Sequence, residues 1–100
     1  MKEIKFEWNE NKAESNTKKH DGITFEEAMS VFDDENAILF DDPEHSQDED
    51  RFILLGMSCL TNLLIVCHCY RGKDNVIRIF SARKATKSEA KQYVEITEGW

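Results

Sequence analysis

Residues 63–85, LLIVCHCYRGKDNVIRIFSARKA, contain two strand-like segments joined by a turn signal. Leu63–Arg71 and Val76–Ala82 are rich in aliphatic and aromatic residues, and the GKDN between them suits a tight hairpin. A third segment of the same kind, Arg51–Cys59, precedes them across the short break Leu60–Asn62. Three consecutive strands with short connections predict an antiparallel meander.

The remaining segments predict two more strands and three helices. Apolar and charged residues alternate from Glu3 to Trp8, which is the pattern of a half-buried strand. Two TxxE capping boxes mark helix starts. The predicted elements outside the meander are a strand at Glu3–Trp8, a helix from the Asn9 cap to about His20, a helix after Thr24, a strand at Ala37–Phe40 and a helix after Thr86. The order βααββββα predicts an α+β fold with helices packed on an antiparallel sheet.

Length and composition predict one domain spanning residues 1–100. One hundred residues, 40% of them hydrophobic, supply a single core, and no linker or repeat divides it. A large cofactor cavity is not expected in so small a core, and no cofactor is predicted. The first residues, MKEIKFEW, lack the pattern of a secretory signal, and no segment is long and apolar enough to span a membrane. We therefore expect a cytoplasmic protein.

The charges are segregated along the chain. The formal net charge of −7 disfavours a protein that coats nucleic acid indiscriminately, since such binding requires broad neutralisation of phosphates. Asp41–Asp50 carries six acidic residues in ten, whereas Arg71–Lys91 is rich in Arg and Lys. A small basic site is compatible with this distribution.

Two arginines, Arg78 and Arg83, interrupt the otherwise apolar strand in IRIFSARKA. A guanidinium on a sheet can bind phosphate or carboxylate through two parallel hydrogen bonds. The two residues are five positions apart, so they face opposite sides of a regular strand unless it ends or bulges between them. We expect the strand to end near Ala82, which places Arg78 on the sheet and Arg83 at its edge. Phe80 in the same strand is assigned to the core and not to base stacking.

Cysteine and histidine do not form a metal motif here. Three cysteines are an odd number and suit no disulfide framework. In the CHC of the second meander strand, alternation points Cys67 and Cys69 one way and His68 the other, so they do not converge on one ion. We predict no metal site, and expect the cysteines to pack as small hydrophobic residues.

Four blocks of the sequence together resemble the BrnT toxins of BrnT/BrnA type II toxin–antitoxin systems. They are FEWNENKAESNTKKH (6–20), GITFEEAMSVFDD (22–34), DPEHSQDEDRFILLG (42–56) and VIRIFSARKATKSEAKQY (76–93). The resemblance implies a RelE-like fold, cleavage of RNA, and neutralisation by a DNA-binding, BrnA-like antitoxin. The family usually reads KHG after the first helix, whereas Asp21 separates His20 from Gly22 here, which either lengthens the turn or shifts His20.

With RNA as the implied substrate, the basic residues become site candidates. A metal-free ribonuclease needs a base for the 2′-OH, cations for the developing charge and an acid for the leaving oxygen. The candidate catalytic residues are Arg78, Arg83, Arg71, Arg51 and His20, and the candidate RNA-binding residues are Lys12, Lys19 and His45. Each also has a structural interpretation. Arg78 can pair with a carboxylate such as Glu49, Arg51 can pair with the acidic residues just before it, and Arg71 or Arg83 can anchor a turn or the last helix. The histidines can hold a turn or a helix end, and the lysines can lie on a solvated face.

Two other functions stay open at this point. The same basic cleft can serve a non-catalytic module that binds an antitoxin segment or RNA. A housekeeping RNA-binding domain is disfavoured by the net acidity.

Overall fold

The computed structural model describes residues 4–45, 49–72 and 75–98. The elements are β1 (Lys5–Glu7), α1 (Glu10–Lys19), α2 (Phe25–Val31), β2 (Ile38–Asp41), a 3-10 turn (Pro43–His45), β3 (Arg51–Met57), β4 (Leu63–Arg71), β5 (Val76–Lys84) and α3 (Lys87–Glu98). The α+β class and the order βααββββα are confirmed. No helix in this part of the chain is long and apolar enough to cross a membrane.

The five strands form one sheet in the order β1-β5-β4-β3-β2. Strands β2 to β5 pair antiparallel, as the short connections require. Strand β1 pairs with β5 in parallel, so the sheet is mixed and the prediction of a wholly antiparallel sheet was wrong for this strand. Its connection to β5 runs through two helices and three strands, and a connection of that length permits a parallel pairing.

The two faces of the sheet are covered differently. Strand residues Leu54, Val66 and Ile79 pack against α2 in the main core. On the other face, Leu55 and Ile65 pack with Tyr93 of α3 in a smaller cluster. The face that carries Ile65, Cys67 and Arg83, here named the open face, is thus covered by α3 at one end.

A β-bulge in β5 decides where the arginines point. Cys67 pairs with Ser81 but His68 pairs with Ile79, which leaves Phe80 as the extra residue. The inserted residue shifts the alternation by one, so Arg78 and Arg83 both project from the open face. Strand β5 continues to Lys84. The prediction that it ends near Ala82, with Arg83 at the sheet edge, was wrong because a bulge rather than a strand end separates the two arginines.

His68 on β4 belongs to the core. Its side chain is fully buried, and its ring meets that of Phe32, the C-cap of α2, edge-on at 4.8 Å between centroids. Its Nδ1 lies 3.1 Å from the Val66 carbonyl oxygen and its Nε2 lies 3.3 Å from the Tyr70 hydroxyl. Burial lowers the pKa of His68, so the neutral imidazole is the favoured form.

Asn16 fixes α1 against the exposed half of β5. Strand β1 pairs only with Val76–Arg78, and further along β5 the Asn16 amide takes the place of a neighbouring strand. Its Oδ1 accepts from the Ala82 N–H at 3.0 Å, and its Nδ2 donates to the Ala82 carbonyl at 2.7 Å. The same Nδ2 donates to the Ile23 carbonyl at 3.2 Å. This residue sets the position of α1 beside the open face.

Replacing Asn16 with alanine should lower the free energy of unfolding by about 2–3 kcal/mol, because it leaves the buried N–H and carbonyl of Ala82 without the amide that bonds both of them. Urea unfolding of the purified variant measures the change. Asn11→Ala, an exposed position on the same helix, is the matched control and should shift stability by about 0.5 kcal/mol or less. Equal stability of Asn16→Ala and Asn11→Ala contradicts the anchoring role.

Candidate nucleic-acid interface

An open groove of about 440 Å³ lies on the open face beside the bulge. Strand β3 contributes Arg51 and Ile53, β5 contributes Phe80 and Arg83, and helix α1 contributes Lys12. The acidic segment reaches the same groove through the 3-10 turn. The other lining residues are Asp42, Glu44, His45, Ile65, Cys67 and Ser81. The groove therefore joins four of the predicted site residues: Lys12, His45, Arg51 and Arg83.

His45 is held by a buried carboxylate. Its Nδ1 lies 2.9 Å from Asp42 Oδ2; the Asp42 side chain is 9% exposed and the His45 side chain 60%. When the neutral imidazole donates from Nδ1 to Asp42, its Nε2 is left as a proton acceptor. An oriented and accessible imidazole of this kind is suited to general-base chemistry.

Cys67 contacts the same carboxylate without acting as a nucleophile. Its thiol donates to Asp42 Oδ2 across 3.6 Å. Burial, followed by the nearby Asp42 charge, raises the pKa of Cys67 to about 11. The thiol therefore stays protonated at neutral pH and helps to hold Asp42 in place.

A second groove, of about 190 Å³, adjoins the first and shares Lys12, Phe80 and Ser81 with it. It contains Lys19 and His20 from the end of α1. His20 is the C-cap of that helix, and the turn after it uses positive φ at Asp21 (53°) and Gly22 (80°). Asp21 therefore lies in the turn after α1, and His20 lines the second groove.

Arg78 and Arg71 share one carboxylate further along the open face. Arg78 Nη1 donates to Glu7 Oε2 at 2.6 Å, and Arg71 Nη1 lies 3.9 Å from the same oxygen. Glu7 reaches them because parallel pairing sets it beside Arg78 on the neighbouring strand. The carboxylate partner that the sequence suggested for Arg78, Glu49, lies instead 3.9 Å from Arg51 Nη2.

Arg83 forms a bidentate ion pair with Glu89 in the first turn of α3. Its two terminal nitrogens donate to the two carboxylate oxygens of Glu89 at 2.7 and 2.8 Å. Glu89 also accepts from the Thr86 N–H at 2.8 Å, which completes the predicted capping box. The hydrogen bonds from Arg83, ahead of the other contacts, lower the pKa of Glu89 to about 2. Arg83 is therefore a helix anchor as well as a groove residue.

Phe80 does not belong to the core, although the sequence assigned it there. Its ring lies on the open face with Arg51 Cζ 3.9 Å from the centroid and Lys12 Nζ 5.8 Å from it. Both distances are typical of cation–π contacts. The assignment was wrong because the bulge turns the ring away from α2 and into the groove.

Two residues that position the site were missed by sequence reasoning. Asp42 contacts His45 and Glu7 contacts Arg78. The sequence analysis treated Asp42 only as part of the acidic segment Asp41–Asp50, and Glu7 only as a charged residue of the alternating strand Glu3–Trp8. For Asp42 a local signal exists, since it stands three positions before His45 across a proline, a spacing that suits a turn. For Glu7 none exists, because its role depends on a strand pairing between opposite ends of the chain.

No group of three or more His, Cys, Asp or Glu suited to a metal ion occurs in the described ranges.

Comparison with known proteins gives two positive results. Residues 8–89 match a family model described as "Ribonuclease toxin, BrnT, of type II toxin-antitoxin system". The fold is similar to the 1.1 Å crystal structure of the Brucella abortus ribonuclease toxin BrnT, with a TM-score of 0.65 and 22% sequence identity over 85% of this chain and 100% of that one. No similar chain was found among proteins with curated descriptions.

Proposed function

Because the chain belongs to the BrnT family, the ribonuclease toxins of type II toxin–antitoxin systems, we propose that it is a metal-independent endoribonuclease. The observation that supports the site is the Asp42–His45 pair in one groove with Arg51, Lys12 and Arg83. A base, its orienting carboxylate and several cations within one groove are what cleavage through the ribose 2′-OH requires.

His45 is the base in the proposed reaction. Its Nε2 removes the proton of the 2′-OH, the 2′-oxygen forms a bond to phosphorus, and the bond from phosphorus to the 5′-oxygen breaks. The products are a 2′,3′-cyclic phosphate and a 5′-hydroxyl end. Proton donation to the departing 5′-oxygen falls to Lys12 or His20, which line the adjoining groove.

The cations differ in where they lie relative to His45. Arg51 and Lys12 line the groove that contains the Asp42–His45 pair, and both lie near the Phe80 ring. Arg83 lines the same groove and also pairs with Glu89 at 2.7 Å, whereas Arg78 pairs with Glu7 further along the open face. From these positions we assign charge stabilisation chiefly to Arg51 with Lys12, and support to Arg83. Arg78, Arg71 and Lys19 are assigned to the flanking phosphates of the RNA.

The same groove is the proposed target of the antitoxin. Toxins of this type are neutralised by an antitoxin partner, and a BrnA-like protein is the proposed partner here. A segment that brings a carboxylate to Arg51 and Lys12 would compete directly with RNA phosphate. A non-catalytic binding module remains the second candidate, favoured by the carboxylates that already compensate Arg78 and Arg83.

Purified toxin should cut single-stranded RNA in the presence of EDTA and leave 2′,3′-cyclic phosphate ends. Mass spectrometry of the fragments identifies the termini, and addition of a BrnA-like antitoxin, the inhibition control, should abolish cleavage. Activity that appears only with an added divalent ion contradicts the metal-independent mechanism. Tight RNA binding without any cleavage, on RNA alone and on translating ribosomes, favours the binding module.

A further inference from the structure

Phe80 lines the groove on the open face, and the cleavage chemistry does not use it. An aromatic ring on a sheet normally packs under other apolar side chains, as Phe6 of β1 does against the main core. The two apolar clusters found in the described residues do not include Phe80. The ring instead has two cations, Arg51 and Lys12, as neighbours.

The bulge in β5 determines the direction in which the Phe80 side chain points. A bulge adds one residue to a strand and commonly re-aims a side chain near an active site. Here the added residue is Phe80 itself, and Ser81 follows it into the same groove. Without the bulge, Phe80 and Arg83 would lie on opposite faces of the sheet.

The ring also lies where the two grooves meet. The first groove leads from it to Arg51, Arg83 and His45, and the second leads to Lys19 and His20. Phe80, Lys12 and Ser81 line both. An aromatic surface between two cation-lined grooves is the arrangement that single-stranded nucleic acid requires, with a base on the ring and phosphates on either side.

We propose that Phe80, with the Arg51 guanidinium stacked on it, is a nucleobase-binding platform for single-stranded RNA. One base stacks on this pair, the phosphate on one side of it lies at Arg51 and His45, and the phosphate on the other side lies at Lys12 and Lys19. The stack positions the chain relative to His45 and does not itself move protons. This inference rests on the proposed ribonuclease function and assigns the residue that binds the base.

Binding to non-cleavable RNA tests the platform separately from catalysis. The probe is a 2′-O-methyl oligonucleotide of eight residues, whose methylated 2′-oxygen cannot attack phosphorus. Phe80→Leu should weaken its binding by about 5- to 100-fold, the loss expected for one base–aromatic stack, whereas Phe80→Trp should bind like the wild type. On cleavable RNA, Phe80→Leu should raise KM by a similar factor and lower kcat much less.

Tyr70→Leu is the matched control. Tyr70 is a 51% exposed aromatic residue of the same sheet, and its pairing with the buried Ile77 places it on the opposite face. Its replacement should leave RNA affinity unchanged. Thermal unfolding confirms that each variant is folded before binding is compared.

Oligonucleotides with a single abasic residue at successive positions provide a test in which the RNA is changed and the protein is not, so the result does not depend on how a variant folds. One position should weaken binding to the wild type by the same factor as Phe80→Leu, and should have no further effect on that variant. Wild-type affinity in Phe80→Leu, with RNA cleavage intact in the wild type, overturns the platform and leaves the proposed function standing. A wild-type protein that neither cuts nor binds RNA overturns both.

Discussion

Replacement of Arg51 by alanine should lower RNA cleavage by about 100- to 1,000-fold, the usual effect of removing one charge-stabilising donor from a transition state. Arg51 begins β3 and its guanidinium reaches across the open face to lie 3.9 Å from the Phe80 ring centroid. This contact holds the guanidinium in the groove that also contains His45. Arg51→Lys should recover a small part of the activity, since it restores the charge without the planar fork.

Cleavage of a labelled RNA under single-turnover conditions measures the effect of Arg51 directly, and relief of growth arrest gives the cellular readout. Lys18→Ala is the charge-matched control, because Lys18 is an exposed residue of α1 and does not line either groove as described. It should cleave RNA within about twofold of the wild type. Full activity in Arg51→Ala would move the phosphate site away from this groove, with Arg78 as the next position to test.

The meander was predictable because its signals are local. Hydrophobic runs, turn signals and capping boxes each depend on residues a few positions apart, and β4 begins and ends where the sequence indicated. Of the predicted GKDN turn, Lys73 and Asp74 lie outside the described residues. The Thr24 box is half formed: Thr24 Oγ1 accepts from the Glu27 N–H at 3.0 Å. The Glu27 carboxylate instead accepts from Ser58 Oγ at 2.6 Å and Asn62 Nδ2 at 2.8 Å in the β3–β4 turn. Sequence alone does not distinguish a cap from a tertiary contact.

The bulge was not predictable from the residues that form it. The spacing of five positions from Arg78 to Arg83 was compatible with either a strand end or a bulge between them. Which of the two occurs depends on how β4 and β5 pair. The register is set by Ile79 and Ala82, which both pack in the main core although they are three positions apart. The bulge is the adjustment that buries both, and as a result Phe80 and Arg83 share the open face.

The ion pair between Arg78 and Glu7 could not be predicted from the sequence. Seventy-one positions separate the two residues, and a charge pair at that separation leaves no pattern in the sequence. The Arg83–Glu89 pair is local, and a helix anchor was one of the alternatives for Arg83, which the structure shows. Arg51 is proposed first for phosphate binding because it lies over the Phe80 ring in the groove that contains His45.

His45→Ala should lower the rate of cleavage by about 100- to 10,000-fold, the range for loss of a general base. The Nδ1 contact of 2.9 Å with Asp42 leaves Nε2 directed away from the carboxylate and available to the 2′-OH. Cleavage of a labelled RNA under single-turnover conditions measures the loss. An unchanged rate in a folded His45→Ala protein contradicts the assignment of His45 as the base.

Asp42→Asn tests whether the carboxylate orients that base. An amide at this position can donate to Nδ1 and so favour the tautomer in which Nε2 carries the proton, a form that cannot accept another. We therefore expect kcat to fall while KM changes little, because Asp42 does not itself contact RNA phosphate. Asp41→Asn, an exposed neighbour with the same loss of charge, is the control and should retain activity. Unchanged kcat in both His45→Ala and Asp42→Asn would remove the pair from the mechanism and transfer the role of the base to His20.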